Sequence, residues 1–126
     1  MSKSFRYTFL AHAVVAVLFG APLLFFPGQF LGWFGWQLVD PVLSRMLGAA
    51  LLTLAWSSYR GWQAKERAQV SVLLEMEAAF TVLGALGVLR TLLSGSYLGY
   101  ILGFVWLLFA ILALFALAWL YLLFRK

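Results

Sequence analysis

The chain has 126 residues, of which 65% are hydrophobic and only 10% are charged. Soluble domains average roughly 45–50% apolar and about 25% charged residues, so this composition excludes an ordinary soluble domain. The net charge of +5 comes from cations beside apolar segments, where anionic lipid headgroups, and not nucleic acid, are the natural partner. Because the chain has no cysteine, disulfides and thiolate metal sites are also excluded.

Four apolar stretches, at about 8–26, 42–59, 70–93 and 99–124, are separated by short connectors. Each is close to the roughly 20 residues that a helix needs to cross a bilayer. We therefore predict an all-α fold, a polytopic four-transmembrane-helix bundle in which residues 1–126 form a single integral membrane domain. The first stretch is too long for the apolar region of a signal peptide, so we expect it to be retained as the first helix.

The connector between the first two predicted helices, 27–41, is almost uncharged and rich in aromatic residues. Its large rings are Phe30, Trp33, Phe34 and Trp36. Aromatic side chains prefer the headgroup level of a membrane, which predicts a short helix or re-entrant turn lying in the outer interface. A surface for a pigment, a quinone or a partner protein is the alternative. Asp40 and Pro41 suit the N-cap and the first position of the second helix.

The basic residues are distributed unequally between the two sides of this array. Seven fall on one side, namely Lys3, Arg6, Arg60, Lys65, Arg67, Arg125 and Lys126. Arg45 and Arg90 fall on the other side. Since cytoplasmic flanks collect Lys and Arg, we predict a multi-pass protein of the cell inner (plasma) membrane with both termini in the cytoplasm. Arg45 and Arg90 are then expected to extend to lipid headgroups.

The third predicted helix carries two carboxylates, Glu75 and Glu77, which lie about 200° apart around the helix axis. Glu77 shares a face with small and hydroxylated residues, so we expect it to point into the bundle and Glu75 to point outwards. The predicted buried polar cluster consists of His12, Thr53, Ser57, Glu77 and Thr81. Its function is either to handle protons or cations, or only to hold the helices in register through hydrogen bonds.

His12 is the single histidine, which makes it a candidate axial ligand of a haem or chlorin whose second ligand would come from another chain. No cofactor is predicted from any other residue, although a pigment, haem or quinone contact stays open. The sequence contains no catalytic set, no metal-ligand cluster and no glycine-rich phosphate loop. These observations favour a protein that is not an enzyme.

The fourth predicted helix has a row of mostly small residues with spacings of four and three: Gly99, Gly103, Trp106, Ala110 and Ala113. Such a row favours close helix packing in membranes, so we predict that it is an interface. The other residues of this helix, including Phe104 and Leu107, are expected to face lipid or another protein.

Two functions follow from these features. The first is a non-catalytic accessory subunit of a larger membrane assembly, respiratory or photosynthetic, with membrane lipids and other integral membrane subunits as partners. The second is a small homo-oligomeric proton- or cation-coupled transporter or channel that uses Glu77. Small multidrug transporters are similar in length and number of spans, but their essential glutamate lies in the first helix, where this chain has no acid. A lipid-modifying enzyme is the weakest alternative.

Overall fold

A computed structural model describes residues 3–95 and 97–125, and every regular element in these ranges is helical. The five α-helices are α1 (Lys3–Phe25), α2 (Pro27–Gly32), α3 (Pro41–Gln63), α4 (Ser71–Leu93) and α5 (Gly99–Phe124). A short 3-10 helix over Arg67–Gln69 follows α3. The all-α fold is confirmed, and α1 begins five residues before the predicted start at residue 8.

Three of these helices, α1, α4 and α5, are long and apolar enough to cross a membrane. This finding supports a helical membrane protein. The helix α3 has sufficient length but is not among the three, because several polar side chains lower its hydropathy: Ser44, Arg45, Thr53, Ser57, Ser58, Arg60 and Gln63. Hydropathy therefore supports three spans, and not the four that were predicted.

The chain divides into two compact units, residues 1–69 and residues 70–126. In the first unit α1 packs along α3, and α2 contacts both of them. In the second unit α4 packs against α5. The single domain predicted from the sequence stays a prediction.

The helices α1 and α3 run antiparallel, since residues early in α1 meet residues late in α3. Four contacts along the pair show this order: Arg6 with Trp62, Phe9 with Gly61, His12 with Ser58, and Gly20 with Gly48. The buried residues of α3 are all small, namely Gly48, Ala55, Ser58 and Gly61. Small side chains allow two helix backbones to approach closely, so α3 presents a seam of small residues to its neighbour.

Local capping groups fix the beginning of α3 and the end of α1. Asp40 accepts hydrogen bonds through Oδ1 from the backbone N–H groups of Val42 and Leu43, at 2.9 and 3.1 Å. This arrangement confirms the predicted N-cap, with Pro41 in the first turn. At the end of α1, Arg45 donates from Nε to the backbone carbonyl of Leu24 at 3.3 Å, so one of the last carbonyls of that helix has a charged donor.

The aromatic connector begins with α2, so of the two predicted alternatives, a short helix or a re-entrant turn, the structure has the short helix; its location in the outer interface stays a prediction. It ends in a turn in which Trp36 donates its backbone N–H to the carbonyl of Leu31, and Gly35 donates to Gly32, at 3.0 and 3.1 Å. Gly35 has a φ of 92°, a left-handed conformation that favours glycine after a helix end. This turn therefore stops α2 and redirects the chain towards α3.

In the second unit, α5 buries one face, whereas large side chains on its other faces, such as Trp106 and Leu114, are exposed. Its buried residues are Phe104, Val105, Ala116, Trp119 and Leu122. The prediction that Phe104 faces outward is therefore wrong. The buried positions of α4 include Ala78, Thr81 and Ala85, which leave room for the large rings of Phe104 and Trp119, and the predicted row of mostly small residues lies outside this contact.

Candidate functional site

A buried polar pair in the first unit joins α1 to α3. His12 Nδ1 and Ser58 Oγ lie 2.9 Å apart, and the two residues are 5% and 0% exposed. A buried polar group is stabilised when its hydrogen bond is made and costs free energy when it is lost. This pair therefore fixes the register of the two helices.

Two predicted members of the polar cluster on α3 are placed differently. Thr53 is exposed, and its hydroxyl donates to the backbone carbonyl of Ala49 at 2.9 Å, so its predicted burial is wrong. Ser57 is half-buried, and the neighbouring Ser58 is the residue that meets His12. Adjacent residues on a helix point about 100° apart. Ser57 and Ser58 therefore face different directions, and only Ser58 points at His12.

Ser58 was missed because the predicted polar face of α3 was defined by Thr53 and Ser57, which are one helical turn apart. Ser58 follows the small residue Ala55 by three positions and precedes Gly61 by three. These three residues share the buried face. The spacing of small residues was therefore the signal that identifies Ser58.

The second unit contains a separate buried polar position on α4. Glu77 is 0% exposed and Thr81 is 1% exposed. The Thr81 hydroxyl donates to the backbone carbonyl of Glu77 at 2.9 Å. Glu75 is exposed, in agreement with the predicted faces of this helix. His12 and Glu77 belong to different units, so one cluster containing both stays a prediction.

The geometry of His12 limits what it can bind. Its Nδ1 is engaged by Ser58, so an axial bond from Nδ1 to a cofactor would cost this hydrogen bond. No group of three or more His, Asp or Glu residues within 3–95 and 97–125 has a geometry that could hold a metal ion. Cofactor ligation by His12 stays a prediction.

The arginines predicted to reach lipid headgroups lie at helix ends. Arg45 is exposed in the first turns of α3 and also contacts the Leu24 carbonyl. Arg90 is exposed in the last turn of α4, where a cation is favoured by the helix dipole. These positions are compatible with headgroup contact, which stays a prediction for both.

The aromatic residues of the connector divide into a packed group and an exposed ring. Phe30 is buried and lies edge-to-face with Phe19 and Phe34, with centroids 6.2 and 5.4 Å apart. Trp36 is half-buried, whereas Trp33 is 70% exposed. The connector is thus partly folded onto α1, and Trp33 is its most accessible predicted interface residue.

The predicted interface on α5 is exposed along most of its length. Gly99, Gly103, Trp106 and Ala110 are exposed, and Ala113 is half-buried. Residues three or four apart share a helix face, so these residues form one face of α5. That face lies on the side of the helix opposite the buried Trp119. The pairing of α4 with α5 therefore leaves this row uncovered.

A second aromatic surface, which was not predicted from the sequence, lies on α3. Trp56, Tyr59 and Trp62 follow one another at three-residue intervals, with ring centroids 5.7 and 5.9 Å apart. The guanidinium of Arg6 lies 5.9 Å from the centroid of the Trp62 ring. The three-residue spacing of the rings was the available sequence signal. These residues place a cation and exposed rings at one end of the first unit.

Comparison of the chain with protein-family models, characterised proteins and solved structures finds no match. The function of the chain is therefore inferred from its own residues and contacts. Those residues provide buried polar positions, an uncovered row of small residues and a cationic aromatic surface.

Proposed function

We propose that the chain is a four-span inner-membrane protein that acts as a non-catalytic accessory subunit of a larger membrane assembly, respiratory or photosynthetic. The fourth span in this proposal is α3. Its 23 residues extend about 34 Å at a rise of 1.5 Å per residue, which is enough for a hydrocarbon core of about 30 Å. Because α3 packs antiparallel along α1, an α1 that crosses the bilayer carries α3 with it.

The polar residues of α3 are compatible with this placement. Ser58 is buried against His12 of α1. Thr53 returns its hydroxyl hydrogen bond to its own helix backbone. Arg45 and Arg60 lie near the two helix ends, where long side chains reach the headgroups. The low hydropathy of α3 thus reflects side chains that are satisfied by the protein or lie close to the interface.

The proposed orientation places both termini in the cytoplasm and rests on the excess of cations there. Cysteines introduced singly at Gln63 and Leu98, both exposed positions, test it in intact cells with a membrane-impermeant thiol reagent. We expect labelling at Leu98 and none at Gln63. The reverse pattern would overturn the orientation, and equal labelling of both would contradict a single topology.

The observation that carries the subunit proposal is the uncovered row on α5. Small residues drive helix association in membranes by close van der Waals contact, and the chain's own pairing buries the opposite face of this helix. Gly103 lies within the row, and a Cβ added there would meet nothing within 4 Å in this chain. In the proposal, the helix of another subunit packs against this row.

The test is isolation of the chain from its native membrane in mild detergent, followed by identification of copurifying subunits by mass spectrometry. We expect a stoichiometric complex, and we expect Gly103→Leu to reduce its recovery severalfold. Gly87→Leu on α4 is the matched control, because a Cβ at Gly87 also meets nothing within 4 Å. Recovery of the native chain without other subunits, or equal loss with both variants, would contradict the proposal.

One observation favours a second function, a homo-oligomeric proton- or cation-coupled transporter or channel. Glu77 is completely buried in a helix that is apolar enough to span a membrane, and ionisable groups in such positions are costly and frequently functional. Purified chain in liposomes tests this alternative by proton or cation flux. Flux that is lost in Glu77→Gln and kept in Glu75→Gln would favour transport, and absence of flux would exclude it.

A further inference from the structure

The rings of Trp56, Tyr59 and Trp62 form a continuous aromatic strip on α3. Trp56 is 61% exposed and Tyr59 is 39% exposed, so the strip presents an outward surface over about two helical turns. Gln63 donates from Nε2 to the Tyr59 hydroxyl at 3.0 Å, which fixes the polar edge of that ring. The strip therefore runs from the interior of α3 to the end of the helix.

A cation lies over the last ring of the strip. The Arg6 guanidinium is stacked over the Trp62 ring at 5.9 Å from its centroid, within the range of a cation–π interaction. Arg60 is exposed one turn beyond Trp56 and therefore lies on the same face of α3. Antiparallel packing joins the start of α1 to the end of α3, so further cations share this end of the unit.

We call this region the basic end; its charged residues are Lys3, Arg6, Arg60, Lys65, Arg67 and Glu66. Five of these side chains are cationic and one is acidic. The basic end thus combines a strong positive charge with an adjoining apolar aromatic surface. A ligand that complements both features needs an anionic group joined to a long apolar body.

From this arrangement we infer that the basic end is a binding site for an anionic phospholipid. Arg6, which lies over the Trp62 ring, holds the lipid phosphate, because guanidinium groups bind phosphate oxygens with paired hydrogen bonds. Arg60 points about 200° away from Trp62 around α3 and adds only to the positive charge of the basic end. The acyl chain lies along the aromatic strip. Inorganic phosphate would engage the cations alone and leave Trp56 and Tyr59 without a role. The inference rests on the membrane location in the proposed function but not on the subunit role.

The test is native mass spectrometry of the purified full chain, titrated with phosphatidylglycerol or with phosphatidylcholine. We expect tighter binding of phosphatidylglycerol, and a loss of about fivefold in its affinity for Arg6→Gln, as for a cation near an anionic membrane surface. Arg90→Gln removes the same charge from the last turn of α4, outside this site, and should lower the affinity clearly less than Arg6→Gln does.

A variant that keeps all charges distinguishes a specific lipid site from general electrostatic attraction of anionic lipid to the cations. Trp62→Leu removes the ring beneath Arg6 and should lower phosphatidylglycerol affinity about two- to fivefold, the range of an exposed cation–π contact. Circular dichroism checks that each variant folds. If Arg6→Gln does not fold, Arg6→Lys replaces it, since it keeps the charge but loses the planar guanidinium and should weaken binding in the same direction.

Three results would overturn the inference: an unchanged affinity in Trp62→Leu, an equal loss in Arg90→Gln and Arg6→Gln, or displacement of the lipid by inorganic phosphate. The assay uses the isolated chain, so it succeeds or fails independently of any copurifying subunit. Membrane location is checked separately, by retention of the chain in carbonate-washed membranes. Failure of the lipid site and failure of the proposed function are therefore distinguishable.

Discussion

Replacing Gly48 with alanine probes the closest approach between α1 and α3. A Cβ at this position would lie 2.6 Å from the backbone nitrogen of Leu24 and 2.8 Å from the backbone oxygen of Gly20. Optimal carbon contacts are about 3.5–4.0 Å, so the two helices must separate by about 1 Å at this point. Both neighbouring atoms belong to a helix backbone, and neither can move away by a side-chain rotation.

Overpacking of this kind costs about 1–3 kcal/mol of stability. We expect Gly48→Ala to lie at the upper end of this range, because the atoms that clash with the new Cβ are backbone atoms of α1. Alanine regains about 1 kcal/mol of helix propensity over glycine. We therefore expect the free energy of unfolding to fall by about 2 kcal/mol. Titration of the detergent-solubilised chain with sodium dodecyl sulfate, followed by circular dichroism, measures this change.

The matched control for Gly48→Ala is Gly87→Ala on α4. A Cβ at Gly87 meets nothing within 4 Å, so only the propensity gain applies and the chain should be unchanged or up to about 1 kcal/mol more stable. A Gly48→Ala chain as stable as the native chain would refute the close contact between α1 and α3.

Three further substitutions test the buried polar groups and the cap by the same unfolding assay. Ser58→Ala should lower the free energy of unfolding by about 1–2 kcal/mol because it removes the partner of a buried histidine, whereas Ser57→Ala should change it by less than about 0.5 kcal/mol; similar effects would contradict the pairing. Glu77→Ala should lower it by about 1–3 kcal/mol through loss of buried packing and polar contacts, and Glu75→Ala should be nearly neutral; the opposite order would refute the face assignment. Asp40→Ala should cost about 1 kcal/mol, and no loss would show that the N-cap does not contribute.

The sequence identified the helices because their boundaries depend on local chemistry. Asp40 and Pro41 initiate α3 through a side-chain cap and a fixed φ, and both effects act within one helical turn. The faces of α4 were also readable, because a single face combines Glu77 with Thr81. Composition and hydropathy were sufficient to indicate a helical membrane protein.

Only the tertiary structure decided which faces meet. The helix α5 is apolar around its whole circumference, so its periodicity does not select the buried face, and packing placed Phe104 inside and Gly103 outside. On α3, the small residues that let the backbones approach determined that Ser58, and not Ser57, meets His12. Hydropathy describes the transfer of a segment into lipid, whereas helix pairing in lipid depends on shape and hydrogen bonding. These contacts join residues far apart in the chain, so local sequence patterns do not specify them.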